Sequence, residues 1–439
     1  MYLKYKDSGV MEIGEIPLEW NIDRLVALGT FSKGKNITKS DLVDSGYPCI
    51  LYSQIYTNFD RIFTSVCSYI DDKKFLDSTK IKKDKFLFTS SGETVEDIGK
   101  CVLYNGEEEI ALGGDIVVYS ILDSNKFYNK FLSYVFNSDF FQYQKSANSN
   151  GDIVVHIYEK QLREIRFPYP SFMQQKLISN YLDIKTQKID SLISLIEDKI
   201  KILKEKKTSL IHQIVTKGLD STSDMKDSGI SWIGKIPKHW DIFSLKFSTK
   251  ITRGKFTHRP RNDPQFYNGN YPFIQTGDIS GSGKYLSKYS QTLNEKGYLV
   301  SKEFPMDTLV MGISANIGNV SILKIACCFP DSIVGFEPKN DWNSEFLYYL
   351  FTSMTEEFER NAIVSTQLNL NVDRLGDIKI PKIPLNEQLK IVEVLDEKVN
   401  QFDLLIHKEI ERSTFLKEYR QSLISSVVTG KIRITEESV

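Results

Sequence analysis

Nowhere does this chain of 439 residues run apolar for the roughly 20 positions that a membrane-spanning helix needs. With 41% apolar and 26% charged residues, its composition is that of a soluble globular protein. Cysteine is scarce. The five present (Cys49, Cys67, Cys101, Cys327 and Cys328) are odd in number and share no CxxC spacing, which fits a reducing cytoplasm. Histidine is equally thin, and His156, His212, His239, His258 and His407 are too scattered to offer metal-ligand spacing, so no zinc site is expected. The opening MYLKYKDSG has no apolar core of the kind an export signal carries. Charge of neither sign dominates. A net charge of −1 does not decide about nucleic acid, because a basic face can be offset by acids elsewhere.

What the chain does have is itself twice. KDSGVMEIGEIPLEW (6–20) returns as KDSGISWIGKIPKHW (226–240), with nine of fifteen positions identical at an offset of 220. The offset holds from SKGK (32–35) to TRGK (252–255), then becomes 224 at YPCI (47–50) and YPFI (271–274), so the second copy carries four extra residues between these points. It slides to 215 at NKFLSYVF (129–136) and SEFLYYLF (344–351), and from Leu162 and Leu375 onward it locks at 213. Drifting offsets mark loops of a globular part, whereas a locked register marks a rigid element that tolerates no insertion.

That element reads as a helix in each copy. Ile178, Leu182, Ile189, Leu192, Ile196, Ile200, Leu203, Leu210 and Ile214 follow a mostly three-and-four spacing, and Ile391, Leu395, Phe402, Leu405, Leu416, Leu423 and Val427 occupy equivalent positions. Such a helix would be about 65 to 70 Å long at 1.5 Å per residue. Its apolar stripe needs a partner, and the other copy's helix is the simplest one. The globular parts mix short β-branched and aromatic runs with a helix over 127–145. The expected architecture is α+β: two mixed α/β domains over 1–172 and 219–385, separated by two long helices over 173–218 and 386–430 that pack as an antiparallel coiled coil, with a tail over 431–439. An internal pseudo-twofold relates the halves.

Catalytic motifs fail one by one. GTFSKGKN (29–36) has the glycines and lysine of a phosphate loop, but Asn36 stands where a Ser or Thr should hold magnesium, and Thr249 replaces the first glycine in the second copy. A shared GK turn is the better reading. Asp331 and Glu337 are not spaced as a nuclease site, and the first copy has no equivalent Glu and Lys pair. No methyl-donor motif occurs. A non-catalytic chain is expected.

Two similar but diverged domains held apart by paired helices suit the grasping of two places on one long ligand, and DNA is the natural candidate. The paired KDSGxxxIGxIPxxW segments, STQLNLN (365–371) leading into IPKIPLNEQ (380–388), and the helix ends KTSLIHQIVTKGLD (207–220) and RQSLISSVVTGKIR (420–433) together resemble the specificity subunits of type I restriction-modification systems. That resemblance implies two target recognition domains, each reading half of a bipartite, asymmetric double-stranded DNA site, with the helices as spacer and docking surface. It also implies two adenine methyltransferase subunits with S-adenosylmethionine, and ATP-dependent translocating endonuclease subunits with magnesium, none of it in this chain. The alternative is a coiled-coil scaffold that never reads DNA.

Repetition supplies a rule for the DNA-reading residues: what both copies share performs a common duty, and what differs can distinguish half-sites. The loop around the four-residue insertion is the first choice. KITRGKFTHRPR (250–261) places Arg253, Lys255, His258, Arg259 and Arg261 in a run without an acid, suited to phosphates and to guanine. Lys33, Lys35 and Lys39 form a thinner version in the first copy. Polar side chains after predicted strands come second: Gln54, Ser90, Ser91 and Thr94, and in the second copy Thr276, Asp278, Ser314 and Asn316.

Overall fold

The computed structural model describes all residues except 1, 3, 93, 96, 150–154, 314–316, 362, 365–367, 370 and 439, and not the side chains within 361–370. The chain divides into two compact units, one of residues 1–196 with 411–439 and the other of residues 197–410. The two long helices, Phe172–Lys217 and Leu385–Val428, are each shared between these units.

Each unit is built on the same sheet. In the first, Gly29–Lys33, Ile116–Ile121, Lys85–Thr89, Cys101–Tyr104 and Ile62–Phe63 lie in that order, and in the second Thr249–Arg253, Ile333–Pro338, Leu309–Gly312, Val320–Leu323 and Tyr285–Leu286 repeat it. All neighbours are antiparallel except the last pair, which is parallel in both units. Side chains alternate across a strand. Phe86, Phe88, Val117 and Tyr119 therefore join the core beneath the helices, while Leu87, Ile116 and Val118 join a second core with Ile50 and Leu112 of a smaller sheet. Both faces of the central strands are buried, so Cys101–Tyr104, Leu309–Gly312 and most of Lys85–Thr89 lie wholly inside, whereas the edge strands Gly29–Lys33 and Thr249–Arg253 are largely exposed.

The predicted helix over 127–145 is instead two, Asn129–Val135 and Asp139–Ala147. The break is held by side chains that turn back onto the chain: Ser138 Oγ donates to Val135 O (2.6 Å) and Asn137 Nδ2 to Ser133 O (2.8 Å).

The repeated opening stretch forms a β-hairpin, Tyr5–Asp7 with Glu15–Pro17 and Met225–Asp227 with Lys235–Pro237. Its shared residues make the same bonds twice. Gly9 and Gly229 donate to Asp7 and Asp227 Oδ1 at 2.9 Å, and Gly14 and Gly234 adopt φ of 67° and 69°, a left-handed conformation that favours glycine. Trp20 and Trp240 are buried at its end. Gly430, closing the second long helix, lies against Pro17 and Trp20, and Gly218, closing the first, lies against Trp240. Each hairpin thus seats the end of a long helix, and Trp20 receives that of the copy to which it does not belong.

In the second unit the helices run antiparallel: Lys199 pairs with Glu409 and Lys207 with Asp403, both at 2.6 Å. In the first, Arg420 Nε meets Asp190 Oδ1 at 2.8 Å, and Ile189 and Ile193 share a core with Leu423 and Ile424. The predicted stripe is displaced by one residue at one place in both helices. Leu192 and Leu405 are 44% and 49% exposed, and their neighbours Ile193 and Ile406 are buried instead.

One buried charge has a measurable cost. Lys145 is 1% exposed, donates to Gly99 O at 2.7 Å, and burial pushes its ammonium down to about 8. Between about pH 8 and the ordinary value of 10.5 the unfolded chain binds more protons, so this residue makes stability rise with pH across that window, and below it the full penalty is present. At ~1.4 kcal/mol per unit the penalty is about 3 kcal/mol, against about 1 kcal/mol for leaving the Gly99 carbonyl without its donor. Lys145→Met is therefore expected to be more stable near pH 7 by about 1–2 kcal/mol in urea melts, with that gain shrinking by pH 10.

Candidate nucleic-acid interface

The GK turn is explained by close approach. A Cβ on Gly254 would lie 2.2 Å from Pro330 O, and one on Gly34 would lie 1.9 Å from Gly113 O. The amides of this turn are already paired: Gly254 N with Ile333 O (2.9 Å), Lys255 N with Phe329 O (3.0 Å), and in the first copy Gly34 N with Ile116 O (2.9 Å) and Lys35 N with Leu112 O (3.1 Å). A phosphate loop needs such amides unpaired. Asn36 takes φ of 57° and donates to Asp77 Oδ2 at 3.1 Å, so its side chain is part of the turn.

Beyond the turn the copies diverge. The path from Lys255 to the strand Tyr267–Phe273 is longer than the path from Lys35 to Leu42–Val43, which places the insertion within 256–266. Tyr267 and Tyr271 both face Leu293, as Leu42 and Tyr47 both face Ile70 in the first copy, so this irregularity is common to both and the insertion lies before it.

The run that lacks an acid in sequence acquires two in space. Asp331 accepts from Arg259 Nη2 at 3.4 Å and from Arg261 Nη2, while its backbone carbonyl accepts from Arg253 Nε at 2.5 Å. Asp263 meets His258 Nε2 at 3.2 Å, and the His258 ring lies 4.0 Å from that of Phe266. Hydrogen bonds from Gln265 hold the Asp263 carboxyl below the usual range. Arg259 also donates to Phe256 O (2.6 Å) and His258 O (2.8 Å). Both side chains keep about half their surface in solvent, 52% for Arg259 and 45% for Arg261. Arg253 and Lys255 are exposed as well. The result is a cationic knot oriented from one carboxylate and open on its outer side.

Beside it lies a cavity of about 380 Å³ floored by Phe256, Tyr267 and Phe273, with Asn262, Gln275 and Gln291 supplying amides. In the first copy Lys33, Lys35 and Lys39 are exposed, and Lys35 approaches Asp77 at 3.8 Å. No arginine stands among them.

The second set of candidates is placed differently. Gln54 Oε1 accepts from Leu51 N at 2.9 Å, and Asp278 Oδ2 accepts from Gln275 N at 2.7 Å, each capping the short helix it belongs to. Ser90 and Ser91 are buried, the latter 3.1 Å from His156 Nδ1. Thr94 donates to Asp97 Oδ2 at 3.1 Å on the surface, and Thr276 is half-buried in the first turn of its helix. Ser314 and Asn316 lie outside the described residues, as does Gln367 of STQLNLN. The structure thus brings Arg253, Arg259 and Arg261 together, while of the described second set Gln54 and Asp278 cap helices and Ser90 and Ser91 are buried. Asp331 was legible only as a misfit in a nuclease pattern. The residue it follows, Pro330, faces Gly254 only in the fold, so no sequence signal joins Asp331 to the arginines.

Among the described residues no group of three His, Cys, Asp or Glu side chains could hold a metal ion, and no helix is long and apolar enough to cross a membrane. A family profile described as type I restriction modification DNA specificity domain matches residues 17–204 and again residues 237–412. The chain belongs to this family. The two matches reproduce the two copies, so in this member of the type I specificity family the repeat is one domain used twice.

Similar to it is the putative type I restriction enzyme MjaX specificity subunit of Methanocaldococcus jannaschii, 24% identical over 99% of this chain and 98% of that one. The MjaIX specificity subunit of the same organism is 28% identical over 44% of this chain and 45% of its own length. Among solved structures, one reported as the structural basis underlying complex assembly and conformational transition of the type I R-M system matches with a TM-score of 0.71 at 16% identity, covering 95% of this chain and 99% of that one. The HsdS subunit from Thermoanaerobacter tengcongensis matches at 0.50 and 16%, covering 95% and 98%. At such identity these are likenesses of fold. They extend over both copies of the type I specificity domain and both long helices.

Proposed function

We propose that this chain is the DNA-reading subunit of a type I restriction-modification complex, with recognition domains over 1–172 and 219–385 that each bind one half of a bipartite, asymmetric site. One observation carries the reading: the two copies share a sheet order and a GK turn, and differ where a basic loop leaves that turn. A shared frame with divergent loops is what two unlike half-sites require.

The helices supply the docking surface. Leu192 and Leu405 are exposed at equivalent positions, and so are Ile202 and Phe415, each pair separated by the locked offset of 213. Apolar side chains left outside a helix pair mark sites for partners, and two equivalent sets suit two like subunits. Those subunits are DNA adenine methyltransferases carrying S-adenosylmethionine. ATP-dependent endonuclease subunits with magnesium complete the complex, which works in the cytoplasm on double-stranded DNA.

Exchange of residues 21–165 for the same region of another specificity subunit tests the reading, with methylated sites mapped by sequencing. One half of the site is expected to change. A change in both halves, or in neither, would refute the assignment of one domain to one half.

A further inference from the structure

Outside the candidate interface, one side-chain cluster occurs twice. In the first unit Asp183, on the long helix, accepts from Arg61 Nη2 at 2.9 Å and from Tyr134 OH at 2.7 Å, with Lys130 Nζ at 3.5 Å. In the second unit Asp396, on the other long helix, accepts from Lys284 Nζ at 2.5 Å and from Tyr349 OH, and Lys284 is also 3.5 Å from Glu345. The carboxylates are 213 residues apart and the tyrosines 215, the offsets of their own segments. The cations match in place, since Arg61 and Lys284 each immediately precede the edge strand of the main sheet, Ile62–Phe63 and Tyr285–Leu286.

Three elements meet at each cluster: the far edge of the sheet, the helix packed on that sheet, and the long helix. The Arg61 guanidinium lies 3.6 Å from the centroid of the Tyr134 ring, so the tyrosine orients the cation with its face and the carboxylate with its hydroxyl. Lys284 lies 5.0 Å from the ring of Tyr349. The cation side chains are only 18% and 15% exposed, and a charge so far withdrawn from water holds its partner in a narrow geometry. Around each cluster the elements also pack through apolar side chains, and in the first unit Arg61 Nη1 donates to Ser133 Oγ at 2.5 Å and Tyr134 OH lies 3.3 Å from Thr186 Oγ1. Packing alone leaves the sheet free to rock on the helix, whereas a bonded aspartate on the helix and a cation at the far edge of the sheet fix that angle.

We propose that Asp183 with Arg61 and Tyr134, and Asp396 with Lys284 and Tyr349, are positioning residues that set the angle of each recognition domain on its long helix, and thereby the half-site spacing the chain accepts. This rests on the DNA-reading function proposed above. The copies realise the joint with opposite surplus charge. The first has two cations around one carboxylate, and the second has one cation between two carboxylates. The duty is therefore carried by the bonded geometry and not by a net field.

The test uses the full chain in complex with its methyltransferase subunits, on duplexes whose spacer is native, one base pair longer or one shorter. For Asp183→Asn and, separately, Asp396→Asn, methylation of the native spacing is expected to stay within about threefold of wild type, while the preference for native over altered spacing falls about tenfold. Lys284→Arg, which keeps the charge and reach, is expected to retain the preference. An unchanged preference in both aspartate variants, with or without a lower melting temperature, would reduce the clusters to ordinary structural ion pairs and overturn the proposal. Failure of the wild-type complex to methylate any bipartite site would instead overturn the DNA-reading function. The two failures are distinct.

Discussion

Alanine at Arg253, Arg259 and Arg261 together is expected to flatten the salt dependence of DNA binding by about 2.7 in the slope of log K against log salt, near 0.9 for each phosphate contact removed. Three observations support so large an effect. The three guanidinium groups gather on one residue, Asp331, so they act on one stretch of ligand. The Arg259 and Arg261 side chains remain about half in solvent and Arg253 is exposed, so they are available to it. Among the described residues nothing equivalent stands in the first copy, where the corresponding alanines at Lys33, Lys35 and Lys39 should change the slope less. Single substitutions divide the labour further. Loss of a phosphate contact weakens all sequences alike, whereas loss of an arginine bidentate to guanine costs about 1–3 kcal/mol and relaxes the choice of base at one position. Asp331→Ala has the opposite sign. Freed from their anchor, Arg259 and Arg261 should bind arbitrary DNA more tightly while discriminating less. A slope unchanged in the triple variant would remove this loop from the interface.

Offsets between the copies located the insertion to within the loop that the strands later bounded, because insertions survive only where no packed element would be broken. The same logic set the long helices at 173–218 and 386–430, within a residue or two of Phe172–Lys217 and Leu385–Val428. The order of the strands was not legible. Strands such as Phe86–Phe88 bury both faces, so they show no alternation of polarity, and the edge pair is parallel between segments some forty residues apart. Asp331 is seventy residues from Arg261, too far for any local pattern to join them. Leu and Ile are equivalent to a periodicity count, so Leu192 reads as part of the helix stripe. The packing separates it from Ile193 by one residue, and the repeat in Leu405 and Ile406 shows that the separation is systematic. Gln54 and Asp278 follow strands, and the same position is where a short helix begins and needs a cap.

Gln388 should be among the least replaceable residues of the second unit: Gln388→Ala is expected to destabilise it by about 3–5 kcal/mol, seen as a lower midpoint in urea or on heating. The amide is fully buried at the start of the long helix. Its Oε1 accepts from Asn343 N at 2.9 Å, and its Nε2 donates to Asp341 O at 3.0 Å and to Ile383 O at 2.8 Å. Alanine would strand these three backbone groups away from water and leave a cavity as well. Gln388→Glu keeps the volume but turns a carboxylate toward two carbonyl oxygens, so it should be no better than alanine. The exposed neighbour is the control, and Asn386→Ala should stay within about 0.5 kcal/mol of wild type. The first copy repeats the experiment at Gln175, whose amide accepts from Tyr128 N at 2.9 Å and donates to Lys126 O and Pro170 O at 3.0 Å. Met173 stands opposite Asn386 and is likewise exposed, which explains why the two copies agree at the glutamine and differ two residues earlier. The shared glutamine ties the loop before a packed helix to the first turn of the long helix. It is therefore a structural bond common to both halves, and selectivity for DNA must come from residues the copies do not share.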